Sequence, residues 1–361
     1  MTTKEAVRQA LSRVQDPELK RGLVELGMIH DIEIEGERVR FTLALTTMAC
    51  PLKERIMEEA RAAVRALEGV AEVDVKLREM TEEERRQIMP DEESVAAKYN
   101  QVKHVIAVMS GKGGVGKSLV AGLLAVALRR DGYNVGILDA DITGPSIPRL
   151  FFPEAPAPQA GPMGLLPAES QSGILVMSIN LLLPREDEAV IWRGPLISRA
   201  IQQFWGDVLW GKLDTLVVDL PPGTSDASLT VMQSLPLDGV VLVSSPQGLA
   251  AMVVRKAARM AQQMRVRLLG LVENMSYVIC PGSETRLEVF GPSHAHEIAL
   301  LVGTPFLGRL PIDPRIATVC DVGQIEDYPA EEFAPIAQRI ADSVGLRRQP
   351  PGGDAARQDN D

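Results

Sequence analysis

The stretch Ser110-Gly111-Lys112-Gly113-Gly114-Val115-Gly116-Lys117-Ser118 constrains this chain more than any other. It follows the apolar run 104–109 and precedes a helical pattern from Leu119 to Arg130. That order of strand, glycine loop and helix is the one a phosphate-binding loop requires. The glycines at 111, 113, 114 and 116 let the backbone fold tightly around an anion. The loop N–H groups and the positive end of the following helix would cradle a β-phosphate. The spacing fits G-x-x-x-x-G-K-[ST], so Lys117 would reach the β- and γ-phosphates and Ser118 would ligate Mg²⁺. The candidate nucleotide ligands are thus Gly111, Lys112, Gly113, Gly114, Val115, Gly116, Lys117 and Ser118. A glycine turn with incidental lysines would not need both flanks to be right.

Two more segments suit the same site. Gly136 to Asp141 ends a strand with two aspartates, and Asp141 could position water or touch Mg²⁺. Leu216-Val217-Val218-Asp219 ends another apolar strand in an acid that would hold Mg²⁺ through water, with Pro221-Pro222-Gly223 as a rigid loop beside it. Asparagine 274 and the segment Pro311-Ile312-Asp313 could reach the adenine; by spacing alone they read as ordinary turn residues.

The chain alternates strands and helices from His104 onward, with strand candidates at 104–109, 134–138, 214–218, 238–243 and 268–272. Near-continuous apolar runs point to parallel strands covered on both faces. The expected fold is α/β, a doubly wound, mainly parallel P-loop ATPase sheet over 102–346. Ahead of it, 1–80 reads as a small α+β domain. Its parts are a helix at 7–14, strands at 31–34 and 39–45 joined by a glycine turn, a helix at 52–67 and a strand at 70–77. Residues 81–101 read as a charged linker and 347–361 as a disordered polar tail.

With 361 residues there is room for two or three domains. Net charge is −10, which disfavours general binding to nucleic acid. No run of 18 apolar residues suggests a membrane span, and the N-terminus lacks the apolar stretch of a signal peptide. Three scattered cysteines, Cys50, Cys280 and Cys320, do not suggest a disulfide framework, so the cytoplasm is the expected location.

The segments 110–118, Asp139 to Ser146, Trp192-Arg193-Gly194-Pro195, Trp210 to Asp214, Asp219 to Thr224, Glu273-Asn274-Met275-Ser276 and Pro311 to Pro314 together resemble the Mrp (ApbC-like) iron–sulfur cluster carrier ATPases of the MinD/ParA group. Asp16-Pro17-Glu18, Leu26 to Ile29 and Thr46 to Pro51 resemble the small iron–sulfur assembly-type domain fused ahead of many such proteins. The resemblance implies an ATP-hydrolysing homodimer that carries clusters to apoprotein clients and works with assembly factors. In that group the extra lysine, here Lys112, crosses to the partner's nucleotide. It implies Lys112, Lys117 and Asp141 as catalytic residues and Ser118 with Asp219 as the Mg²⁺ site.

The cysteines leave several readings open. The family's Cys-x-x-Cys falls at Cys280-Pro281-Gly282-Ser283, where the second cysteine is a serine. A hydroxyl is a hard ligand and a poor substitute for thiolate. A labile cluster could use Cys280 from each subunit with other ligands, Cys50 could take over, or cluster binding could be lost. Cys320 reads as structural, and His294 and His296 as solvent-exposed histidines or as metal ligands. Two rival functions stay in view: a metal-free ParA/MinD-like switch, and a scaffold that recruits assembly partners. The polar tail lacks the apolar spacing a membrane-bound switch would use.

Overall fold

The computed structural model describes residues 2–15, 21–45, 53–81, 84, 96–142, 144–161, 164–182, 194–224, 226–247, 250–280, 282–283 and 285–347. Cys50 and its loop, Asp16-Pro17-Glu18, Trp192-Arg193, most of the charged linker and nearly all of the tail lie outside these residues. The chain divides into two compact units, Met1–Glu92 and Glu93–Asp361.

In the first unit, helix α1 (Lys4–Leu11) is capped by Thr3, whose hydroxyl accepts from Ala6 N at 3.2 Å. Strands β1 (Ile29–Glu35) and β2 (Arg38–Leu45) pair antiparallel. The turn between them needs Gly36, at φ +61°. Helix α2 (Lys53–Arg65) then crosses over to β3 (Glu72–Glu79), which pairs parallel with β2. Val7, Leu11, Leu23, Phe41, Leu43, Ile56, Ala60 and Val64 fill its core.

The second unit is built on a nine-stranded sheet. In chain order it runs β4 (Gln101–Ser110), α3 (Lys117–Arg130), β5 (Val135–Asp139) and α4 (Ile147–Phe151). A separate two-stranded hairpin of β6 (Gln159–Gly161) and β7 (Gly164–Leu166), bridged through Leu165 to Val208, is followed by β8 (Ala168–Glu169), β9 (Leu175–Ser178) and α5 (Gly194–Gly206). Next come β10 (Lys212–Asp219), α6 (Asp226–Ser234), β11 (Gly239–Ser244), α7 (Ala250–Gln263) and β12 (Leu268–Ile279). The chain closes with β13 (Arg286–Leu287), α8 (Ala295–Val302), β14 (Phe306–Pro311), α9 (Pro314–Asp321) and α10 (Ala334–Val344). The sheet order is β13-β12-β11-β4-β10-β5-β9-β8, and β14 also pairs with β12. All pairings are parallel except those of β8 and β13, two-residue strands at the margins.

The alternation of β4 explains the two layers. Ile106 and Val108 face one core with α3, α4 and α10, while Val105, Ala107 and Met109 face the other with α5 to α8. Each such buried Val, Ile or Met side chain contributes about 1.5–3 kcal/mol. Register then brings the strand ends together: Asp219 pairs with Val108 on one side and with Asp139 on the other. Ligands of open α/β sheets bind at such carboxyl ends.

Candidate nucleotide site and cysteine hairpin

The glycine loop leaves β4 and enters α3 with Gly114 at φ +78° and Gly116 at φ +79°, backbone that favours glycine. Two of its glycines are also needed for space. A Cβ on Gly111 would lie 2.4 Å from the backbone of Val253 in α7, and one on Gly116 would lie 2.2 Å from the Asn274 amide nitrogen. Gly111→Ala should therefore push α7 off the loop and cost about 1–3 kcal/mol. Urea unfolding with unchanged stability would show that α7 yields freely.

Lys117 and Asp219 meet inside the protein. Lys117 Nζ donates to Asp219 Oδ1 at 2.5 Å, with the two side chains only 6% and 0% exposed. Asp219 Oδ2 is buried and has no hydrogen-bond partner among the described residues. Burial pushes the Asp219 carboxyl upward, while Lys117 and the Ser118 hydroxyl pull against that shift. The buried, unpartnered oxygen beside a serine hydroxyl suits a hydrated Mg²⁺ ion.

Asp139, passed over by sequence reasoning in favour of Asp141, is fully buried next to them. It accepts from the amides of Asp141, Ser146 and Ile147 at 3.2, 3.0 and 3.1 Å and from Ser178 Oγ at 3.2 Å. Burial first, and the neighbouring Asp219 second, push it up to about 7. It anchors the segment that carries Asp141. Asp141 itself is 7% exposed and accepts from Gly144 N at 3.2 Å. The signal was present in the paired aspartates of Asp139-Ala140-Asp141, but nothing in the spacing tells the anchoring acid from the other.

Lys112 lies on the outer side of the loop, where its Nζ donates to Gln247 Oε1 at 2.5 Å within the same chain. Asn274 lies inside β12 rather than just after a strand ending at 272, since β12 continues to Ile279. Its side-chain amide donates to Val115 O at 2.9 Å and so props the glycine loop. The pocket beside α3 is lined by Leu119, Asn274, Pro311, Ile316, Tyr328 and Phe333, among others, so Asn274 and Pro311 do share one cleft. Asp313 caps α9, accepting from Arg315 N at 2.9 Å; it also pairs with the Arg315 guanidinium at 2.6 Å and accepts from Tyr328 Oη at 2.9 Å. These bonds hold its carboxyl below the usual range, Arg315 being the main cause.

Further along β12, Met275 takes a left-handed φ of +58°, and the strand ends at a hairpin with β13. Cys280 N donates to Thr285 O at 3.0 Å, Ser283 N donates back to Cys280 O at 3.1 Å, and Gly282 turns the chain at φ +77°. Cys280 and Ser283 therefore bracket one tight turn. Cys280 is a free, half-buried thiol. Burial pushes the Cys320 thiol up to about 11, which keeps it protonated. His294 faces Glu297 at 3.4 Å, and the His296 ring meets Phe306 edge-on with centroids 6.0 Å apart. No group of three or more metal-ligating side chains occurs among the described residues.

A glycine loop between a central parallel strand and a helix, with acids at the ends of neighbouring strands, defines a P-loop nucleoside triphosphatase. The family described as NUBPL iron-transfer P-loop NTPase matches residues 101–345, and the family described as iron–sulfur cluster assembly protein matches residues 4–75. The chain belongs to the NUBPL-type iron-transfer P-loop NTPases and carries an iron–sulfur assembly-type domain ahead of the NTPase. It is 43% identical over 356 residues to an iron–sulfur cluster carrier protein of Synechocystis, covering 96% of this chain and 99% of the relative. It is 42% identical over 255 residues to an iron–sulfur cluster carrier protein of Methanocaldococcus jannaschii, covering 69% and 88%. Among solved structures, a nucleotide-binding protein from Archaeoglobus fulgidus in complex with ADP is 45% identical, with a TM-score of 0.59, and the match covers 67% of this chain and 95% of that one. No described helix is long and apolar enough to cross a membrane.

Proposed function

We propose that this protein is an ATP-binding carrier that delivers iron–sulfur clusters to apoproteins, with slow, switch-like hydrolysis in a homodimer. The observation that carries the reading is the pairing of Lys117 with Asp219 under a complete phosphate loop at the carboxyl end of the central strands. Loop amides and Lys117 hold the phosphates, Ser118 and Asp219 hold Mg²⁺, and Asp141 orients the attacking water. The metal supplies charge neutralisation of the phosphates when bound. Lys112 exchanges Gln247 for the partner's nucleotide when two subunits close, and so stabilises transition-state charge there. Asn274 connects the nucleotide to the hairpin, because the strand that props the loop is the strand that ends at Cys280. The partition into 1–80, 81–101, 102–346 and 347–361 and a cytoplasmic setting belong to the same proposal.

The cluster is cargo, bound weakly through Cys280 of each subunit, with Cys50 acting separately. A bridged site needs about four soft ligands, and Ser283 leaves the hairpins of a dimer with two thiolates. Because Ser283 brackets the same turn as Cys280, Ser283→Cys should strengthen binding. The check is iron per dimer after anaerobic reconstitution and desalting: wild type low, Cys280→Ser lower, Cys50→Ser reduced independently, Ser283→Cys raised. If neither wild type nor Ser283→Cys holds iron, the hairpin is not a cluster site and the protein is a metal-free switch.

A further inference from the structure

The hairpin that carries Cys280 is not held in place by apolar packing. Its strand β13 supplies two ladder pairs, Val278 with Leu287 and Ile279 with Arg286. A two-stranded piece of that length is marginal by itself. Its large apolar side chains are on the outside, since Ile279, Leu287, Val289 and Phe290 are all exposed. Polar contacts therefore have to fix the turn in which the thiol stands.

Arg309, on the neighbouring strand β14, makes those contacts. Its Nε donates to Ser276 Oγ at 2.5 Å and lies 3.5 Å from the Glu273 carboxylate. Its Nη2 donates to Glu288 Oε1 at 2.5 Å, one residue beyond β13. Ser276 Oγ in turn donates to Glu273, whose side chain is buried. The guanidinium thus also supplies the cation that a buried carboxylate needs. Tyr277 packs against the same group, with the Arg309 and Arg286 guanidiniums 5.4 and 4.5 Å from its ring centroid. One planar fork grips both β12 and the hairpin, a span that a lysine ammonium cannot copy.

Strand β12 is irregular where Arg309 grips it. Its register against β14 shifts between Glu273 and Tyr277, and Met275 between them is left-handed at φ +58°. Such strain in a non-glycine residue persists only where the surroundings hold it. The same stretch presses on the glycine loop: a Cβ on Gly116 would lie 2.2 Å from Asn274 Nδ2 and 3.7 Å from Met275 Cε.

We infer that Arg309 is a positioning residue that ties the Cys280 hairpin to the part of β12 propping the phosphate loop, so that filling the loop stiffens the hairpin. It acts through Glu273 and Ser276 on one side and Glu288 on the other. The inference rests on the nucleotide reading above.

Two variants separate this role from general stability. Glu288→Ala removes only the hairpin's half of the link and leaves Arg309 to Glu273. Arg309→Lys keeps a cation near the buried carboxylate but cannot reach both partners. The measurement is hydrogen exchange by mass spectrometry on the full-length protein, with and without the magnesium complex of AMPPNP. It reads the hairpin at 278–288, the loop at 110–118 and, as a control, the β6–β7 hairpin. In the wild type the nucleotide should slow exchange over both 110–118 and 278–288. Without nucleotide each variant should speed exchange over 278–288 by about threefold, the weight of a part-exposed ion pair, with the control unchanged. With nucleotide each variant should still be protected over 110–118 and no longer over 278–288. Unchanged exchange over 278–288 in both variants overturns the inference. So does an equal rise in the control, which would make Arg309 a general stabiliser, and so does a wild type whose loop is protected while its hairpin is not. In all three cases protection over 110–118 keeps the nucleotide reading standing. Protection of neither segment in the wild type overturns the nucleotide reading and the inference with it.

Discussion

Lys117→Ala should abolish ATP turnover, by about a thousandfold or more, because it removes the cation that neutralises charge building on the β- and γ-phosphates. The same substitution should destabilise the protein by about 3–5 kcal/mol, the usual cost of breaking a buried ion pair from one side. Asp219 is fully buried, one of its oxygens already lacks a partner, and Asp139 is its register neighbour. Losing Lys117 would leave two carboxyls facing each other with no cation between them. Adding Asp219→Asn to the alanine variant should return most of that stability without returning turnover. Phosphate release and urea unfolding of the single and double variants measure the two effects separately. Turnover like the wild type in Lys117→Ala would sink the nucleotide assignment. Undiminished stability would show that the pair is broken or water-filled in solution.

Lys112→Ala should keep ATP binding and lose hydrolysis by about 10³-fold, the scale of a charge supplied across an interface. Its partner in the structure, Gln247, is neutral and exposed, so Lys112 can leave it at little cost. Equal mixing of Lys112→Ala with Asp141→Ala should recover roughly a quarter of wild-type activity by random pairing of subunits. In each mixed dimer one site has an intact Asp141 and a Lys112 given by its neighbour. If mixed dimers form and activity stays absent, Lys112 acts within its own subunit.

The sheet was largely legible in the sequence because its inner strands are buried on both faces and read as unbroken apolar runs. Predicted strands at 104–109, 134–138, 214–218 and 238–243 correspond to β4, β5, β10 and β11. The margins were not legible, since β8 and β13 are two residues long and are held by neighbours rather than by their own pattern. Strand β12 was cut short at 272 because Glu273, Asn274 and Ser276 look like turn residues. In the fold their polar groups are satisfied by one another and by the glycine loop, with Ser276 bonding Glu273 and Asn274 bonding Val115. The phosphate loop carries its chemistry in the order of its residues and so announces itself. Which of Asp139 and Asp141 anchors the switch segment depends on the amides of Ser146 and Ile147, seven and eight residues from Asp139, and no local pattern encodes that.

The bond between Lys117 and Asp219 also bears on which loose ions the protein tolerates. A bare carboxylate flanked by a serine hydroxyl is a hard oxygen seat, and ferrous iron competes with magnesium for such seats. Here the lysine acts as a tethered counter-ion. Phosphates bound in the loop would give the ammonium a second partner and so lower its repulsion of a divalent cation at Asp219. A stray divalent ion approaching the unpartnered Asp219 Oδ2 meets the repulsion of that ammonium, which arriving phosphates would relieve. On the proposed function, that internal counter-ion would keep a hard-ligand magnesium site at Asp219 chemically separate from a soft-ligand cluster site at Cys280.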